Sequence, residues 1–253
     1  MEWTTSWLPT AVALIVLAAI ATSLLLINRI RTPWSALIAI VRAAVQLAAL
    51  SLILSGIINS PVLVGVGLGV MYLAAVLTSA RRTRADRRQL GALAASMAAG
   101  NLVVLTVVFA TGAIEFSPRF VLAIGGIVIG NTMSIASVTG RVFRTSVGDH
   151  WDEVEGWLAL GARPNVATRD LARSSMLTAL VPSIDQTKTT GIVVLPGAFV
   201  GAIFAGATPF EAGRFQVVVL ASILAAGIIT ATILLRMVGG VARKPVDEHS
   251  TAS

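Results

Sequence analysis

Asp185 and Lys188 stand three residues apart in DQTK (185–188), at the head of the uncharged run TTGIVVLPGAFVGAIFAG. On a helix that spacing sets a carboxylate and an ammonium on one face, where they can pair and where the lysine can snorkel to water. Such a pair has two uses. At a membrane boundary it fixes the depth of a helix; at the mouth of a path it meets a charged cargo, with Thr187 as a third polar group beside it. A second set, Asn131, Ser134 and Ser137, recurs every three residues in GNTMSIASVTG (130–140), with Thr132 and Met133 alongside. Amide and hydroxyl groups in that pattern either hold helices together or offer a weak oxygen-lined route for a hard cation. A third is WDEVEGWLALGARPN (151–165). Trp151, Val154, Trp157 and Leu158 share one broad helical face, while Asp152, Glu153 and Glu155 fall elsewhere. Gly161 ends that helix and Pro164 blocks its continuation. A short helix with two tryptophans suits a membrane interface or a groove in a partner protein.

Tight metal binding is not written here. There is no cysteine, and the only histidines, His150 and His249, lie in a loop and in the tail. Soft metal sites want cysteine and histidine, and stable oxygen cages want several carboxylates. Glu115 and Glu211 fall in connections on the side opposite Asp185. Nor is there a G-x-x-x-x-G-K-[ST] loop to cradle nucleotide phosphates.

The elements that must position these groups are set by composition. Of 253 residues, 56% are hydrophobic and 12% charged, with a mean hydropathy of +0.86. Soluble domains carry about 25% charged residues, so this chain reads as an all-α polytopic membrane protein. About 20 apolar residues cross a bilayer core of roughly 30 Å. With that ruler seven spans emerge, at 8–27, 34–54, 61–80, 91–111, 120–139, 189–206 and 216–236. Basic residues then alternate between connections. Arg29 and Arg31 come after the first span, none separates the second and third, and RRTRADRR comes after the third. Arg119 alone lies beyond the fourth, and the segment 140–188 carries five arginines. Arg214 precedes the last span, and Arg243 and Lys244 lie beyond it. The positive-inside rule sets the N-terminus outside and the C-terminus in the cytoplasm of a cell (plasma or inner) membrane. The formal charge of +7 is thus topology rather than nucleic-acid binding. The first span has its arginines behind it, unlike a secretion signal. Residues 1–240 form one transmembrane domain with a cytoplasmic segment at 140–188, and 241–253 is a polar, disordered tail.

Two stretches carry a resemblance. Glu155 and Gly161 have the Glu-x-x-x-x-x-Gly spacing of the loop by which ABC permeases dock on their ATPase subunits, with Gly156 where alanine is usual and the downstream apolar-Pro pair poorly matched. ALVPSIDQTKTTGIVVLPGAFVGAIFAGATPFEAGRFQ (179–216), with GNTMSIASVTGR (130–141), resembles the FetB-like permeases, a family of iron-export ABC transporters with plant relatives in aluminium tolerance. The resemblance runs from about residue 30 to 237. It implies a permease subunit that performs no covalent chemistry and binds no cofactor of its own. ATP and magnesium would be handled by a separate ATPase, and two copies of this chain would complete the assembly in the lipid bilayer. Glu153, Glu155, Trp157, Leu158 and Gly161 would form the ATPase contact. Asn131, Met133, Ser134, Asp185, Thr187 and Lys188 would line the substrate path. Two other readings stay open: ABC export of a sugar nucleotide or other organic anion, and a secondary carrier or channel without an ATPase.

Overall fold

The structure is a computed structural model that describes residues 7–30, 32–57 and 60–245. The part of the tail beyond residue 245 lies outside the described residues. The chain divides into two units, 1–58 and 59–253. In the first, α1 (Trp7–Ile27) and α2 (Ser35–Ile57) form a helical hairpin. Its turn begins where the Asn28 amide donates to the Leu24 carbonyl at 2.8 Å.

The second unit is built from α3 (Pro61–Thr83), α4 (Arg87–Ala110) and α5 (Pro118–Asp149), then α6 (Trp151–Ala159), α7 (Pro164–Ala167), α8 (Arg169–Thr189) and α9 (Gly197–Phe204), and last α10 (Pro209–Val238). Its four long apolar helices all begin the same way. The side chains of Ser60, Asp86, Ser117 and Thr208 each accept a backbone N–H from the first turn of the helix they precede. Proline opens three of these helices, where its missing N–H costs nothing. Among the described residues there is no strand, and six helices, α1 to α5 and α10, are long and apolar enough to cross a bilayer. The chain is an all-α polytopic membrane protein.

The second unit packs through small residues. A Cβ added at Gly100 of α4 would lie 2.6 Å from the Ala226 carbonyl oxygen of α10, and one at Gly125 of α5 would lie 2.9 Å from Leu68 of α3. In lipid no hydrophobic effect drives helices together, so these close backbone approaches supply the dispersion contact instead. Buried polar pairs add to it. Ser79 Oγ lies 3.0 Å from Ser137 Oγ, and the Asn101 amide donates to Thr132 Oγ1 at 3.1 Å.

The same contacts fix direction. Phe120 meets Phe215 with ring centroids 5.8 Å apart, and at the other end Phe143 and Val147 pack with Leu235. α5 and α10 therefore run parallel, and a chain that runs parallel twice must return between. The return is made by α8, an irregular segment at 190–196, and α9. This differs from the expected single helix over 189–206. Gly191, at φ +85°, starts the break, and Pro196, which cannot donate a helical hydrogen bond, stands at its far side. Two further boundaries differ from expectation. α5 runs ten residues past the expected end at 139, through Arg141 and Arg144, because nothing before Gly148 but the helix-tolerant Gly140 interrupts it. α8 passes through Pro182 as one helix, in place of the expected bend out of an interfacial segment.

Candidate functional site

Charge-free lengths locate the apolar zone. In α5, Arg119 and Arg141 bracket 21 uncharged residues, and in α10, Arg214 and Arg236 bracket another 21. Each run rises about 32 Å at 1.5 Å per residue, close to the roughly 30 Å of a bilayer's hydrocarbon core. Because the two helices are parallel and in register, the two runs coincide.

α8 enters this zone from the arginine-rich end. At its start Thr168 is buried, and its hydroxyl donates to the Pro164 carbonyl at 3.0 Å and lies 2.6 Å from the Gly239 carbonyl at the end of α10. Further in, Ala179 and Leu180 pack with Ile135 of α5 and Ala231 of α10. Ile135 precedes Arg141 by six residues, which puts this cluster about 9 Å inside the arginine level. Asp185 lies five residues on, about 7 Å deeper still, and Lys188 beyond it. The pair expected at the membrane boundary thus sits near the middle of the apolar zone. Lys188 Nζ is 3.7 Å from Asp185 Oδ1, and the two side chains are 71% and 61% exposed. Thr187, half-buried, donates to the Ser183 carbonyl at 2.8 Å. The outward face that carries the pair also holds Ser174, Leu177, Thr178, Val181, Pro182 and Gln186, all exposed.

The irregular segment comes directly after. Gly191 N–H donates to the Val194 carbonyl at 2.9 Å, and Ile192 and Val193 are 88% and 76% exposed. α9 has no side-chain cap. It ends against the start of α10, where Ala202 shares a cavity with Phe120, Glu211 and Phe215.

The stripe expected on α5 is split. Ser137 is buried and donates to the Met133 carbonyl at 2.7 Å, a helix contact. Met133 packs among α3 and α4 side chains. Asn131, half-buried, donates to the Ile127 carbonyl, and only Ser134 is exposed. Their amide and hydroxyl are taken up by their own helix. Among the described residues no three His, Asp or Glu side chains gather.

α6 stands at the arginine-rich end. Val154 is fully buried, Leu158 half-buried, and Trp151 packs against the Phe143–Val147–Leu235 cluster. Trp157, expected on that inner face, is instead 50% exposed beside the exposed Glu153 and Glu155. The register explains it: Val154 to Trp157 is three residues, Val154 to Leu158 four, and only the second falls over the core. Leu160 is exposed too, and Gly161 ends the turn at φ +86°. The latch at Thr168, the amide of Asn101 and the exposed Gln186 are not singled out by sequence reasoning. A polar residue inside an otherwise apolar run, as in GNLVV, is the available signal for Asn101. Removing the latch in Thr168→Val should lower stability by about 1–2 kcal/mol, the cost of orphaning a buried carbonyl; thermal unfolding in detergent measures it.

Comparisons with known proteins agree with this architecture. The chain is 33% identical over 222 residues to the UPF0014 membrane protein STAR2 of Oryza sativa, covering 87% of this chain and 78% of the relative. It is 30% identical over 192 residues to the protein ALUMINUM SENSITIVE 3 of Arabidopsis thaliana, covering 75% and 70%. It is 37% identical over 117 residues to the probable iron export permease protein FetB of Escherichia coli, covering 46% and 45%. No solved structure matches. Residues 8–240 match the family described as Uncharacterised protein family (UPF0014), and the chain belongs to that family.

Proposed function

We propose that this chain is the membrane subunit of an ABC exporter, with a metal cation, iron, as cargo and a separate ATPase as motor. The observation that carries the reading is α6. It is held to the bundle by Val154 and Trp151, yet it offers Glu153, Glu155 and Trp157 outward at the arginine-rich end, with Leu160 and Gly161 beyond them. An apolar and acidic ridge of that kind, on a rigid base, fits a groove in a soluble partner. The FetB relative, whose name gives iron export, supports the cargo over its aligned part. The arginine-rich end would face the cytoplasm, with the N-terminus outside, by the positive-inside rule. Asp185, Thr187 and Lys188 would line the path, with Ser134 and Asn131 as weaker oxygen donors. Two copies of the chain would flank that path, with no cofactor of their own and ATP and magnesium on the partner. Lys188 favours a second reading, in which the cargo is an organic anion.

The test is to extract the tagged chain from its native membrane in mild detergent and weigh the complex. A co-purifying ATPase in equal amount supports the reading; a stable assembly lacking one sinks it and leaves a carrier or channel. In the recovered complex, Glu155→Lys should reduce permease-dependent ATPase stimulation at least about tenfold, since a reversed charge at a docking contact costs well over about 1.4 kcal/mol. Stimulation unchanged by this substitution would remove α6 as the contact.

A further inference from the structure

We infer that a phosphate group binds in the cleft between the foot of α8 and the end of α10, where Arg169, Arg173 and Arg236 converge. The inference stands apart from the proposed transport, because it needs only the membrane boundary that the arginines mark. The cleft is open and about 520 Å³ in volume, and Asn165, Thr168 and Thr232 are its other polar walls. Met176 and Leu235 supply apolar lining.

Packing sets the depth. The Thr168 hydroxyl meets the Gly239 carbonyl, and the Thr232 hydroxyl lies 4.0 Å from Met176 Sδ. Between these two contacts α8 holds Arg173 and α10 holds Arg236, so the two guanidinium groups stem from one level. It is the level at which the apolar zone ends, since Arg236 bounds the uncharged run of α10. Arg169 lies one turn further out, about 6 Å. The headgroup layer on each face of a bilayer is about 5–7 Å deep, so the three arginines span it.

Charge is the second argument. Arg173 pairs with Asp170 at 3.2 Å, with both side chains largely exposed. Arg169 and Arg236 have no hydrogen-bond or ion-pair partner among the described residues. One aspartate against three arginines leaves the cleft with two positive charges in excess. Arg169 is also set against its own helix. It stands in the first turn of α8, which has no side-chain cap, and the dipole there already favours an anion. Stability alone would place an acid in that turn, as it does at Asp170.

A topology anchor needs arginines on one side of the membrane; it does not need three of them, from two helices, repelling one another in one cleft. A phosphate turns that repulsion into attraction. Guanidinium forks match phosphate oxygens two at a time, and basic pockets between spanning helices lodge anionic head groups. With Arg169 and Arg173 on α8 and Arg236 on α10, the bound phosphate bridges the two helices beside the Thr168 hydroxyl. Two sources carry this group, an anionic phospholipid and a soluble phosphate, and the experiment separates them.

The detergent-purified full chain is titrated with phosphatidylglycerol and, separately, with zwitterionic phosphatidylcholine, and bound lipid is counted by native mass spectrometry. Unfolding midpoints are read in parallel with inorganic phosphate against chloride at matched ionic strength, since a ligand of the folded state raises them. Arg169→Gln with Arg236→Gln should weaken phosphatidylglycerol binding at least about tenfold, because charge-assisted hydrogen bonds are the strong ones. Arg82→Gln with Arg88→Gln removes the same charge at the same end but outside the cleft, and should weaken it less than about threefold, as screened surface charges do. All four side chains are exposed, so the ligand-free midpoints of the two double variants should match. Selective loss of phosphatidylglycerol in the cleft variant assigns a lipid headgroup. A midpoint rise with inorganic phosphate that the cleft variant lacks, without preference among lipids, assigns a soluble phosphate. Equal losses in the cleft and control variants would mean diffuse attraction and overturn the site, as would the absence of both lipid preference and any effect of phosphate.

Discussion

On the proposed reading, Asp185→Asn should reduce iron efflux from proteoliposomes that hold this chain and the proposed ATPase by about two orders of magnitude. The size follows from the position. Removing the carboxylate leaves the Lys188 ammonium without its partner 3.7 Å away, near the centre of the apolar zone. An unpaired charge at the middle of a spanning helix costs about 3 kcal/mol, and each step of about 1.4 kcal/mol is a factor of ten. Two mechanisms could produce this loss, and the double variant Asp185→Asn with Lys188→Gln separates them. If the carboxylate only neutralises the lysine, the uncharged double variant recovers efflux. If the carboxylate also meets the cation, it does not; recovery is the result expected from the cost of the orphaned charge. Retention of more than half of the normal rate in Asp185→Asn would show that the pair serves neither purpose.

The second large effect is on assembly of the bundle. Gly100 of α4 faces α10 so closely that an added Cβ would stand 2.6 Å from the Ala226 carbonyl oxygen. The neighbour is backbone, which cannot rotate aside. Gly100→Val must therefore part α4 from α10, and it should cost about 3 kcal/mol, the upper end of over-packing penalties. Gly91 of the same helix has nothing within 4 Å of the corresponding position. Gly91→Ala should leave stability unchanged or raise it by about 0.5–1 kcal/mol through backbone entropy. Thermal unfolding of the two variants in one detergent decides the matter; equal midpoints would mean the α4–α10 approach is not limiting.

Much of this architecture is legible in the sequence because a bilayer imposes a length. The expected spans at 61–80, 91–111, 120–139 and 216–236 fall within α3, α5 and α10 and, but for one residue, α4, since uncharged runs bounded by arginine have few other meanings. α6 is legible from Trp151, Val154 and Gly161. The return crossing is not. A hydropathy ruler assigns a span to the most apolar stretch, 189–206, whereas the helix belongs to the more polar 169–189, and Gly191 and Pro196 interrupt the apolar run beyond it. Depth is illegible for a related reason. The ruler places Asp185 and Lys188 at the edge of an apolar run, and only the packing of Leu180 on Ile135, a contact between residues far apart in sequence, moves them to the middle. Trp157 is misassigned by one position of helical phase, because two tryptophans six residues apart cannot both lie over one core on a nine-residue helix.

The latch at Thr168 has a mechanical meaning. It pins the foot of α8 to the end of α10 through the Gly239 carbonyl, while α6 and α7 lead into that foot through short turns. From Thr168 to Asp185 the helix measures about 25 Å, and between those ends Ala179 and Leu180 pack on Ile135 and Ala231, so any tilt must carry that cluster with it. A tilt of about 10° at the pinned end sweeps the carboxylate sideways by about 4 Å, and Lys188, on the same helix, moves with it. Pro182, which withholds one helical hydrogen bond, sits three residues before the load and lets the arm flex there. On the proposed reading, force from the ATPase at the foot of α8 and charge near the middle of the apolar zone would be carried on one helix.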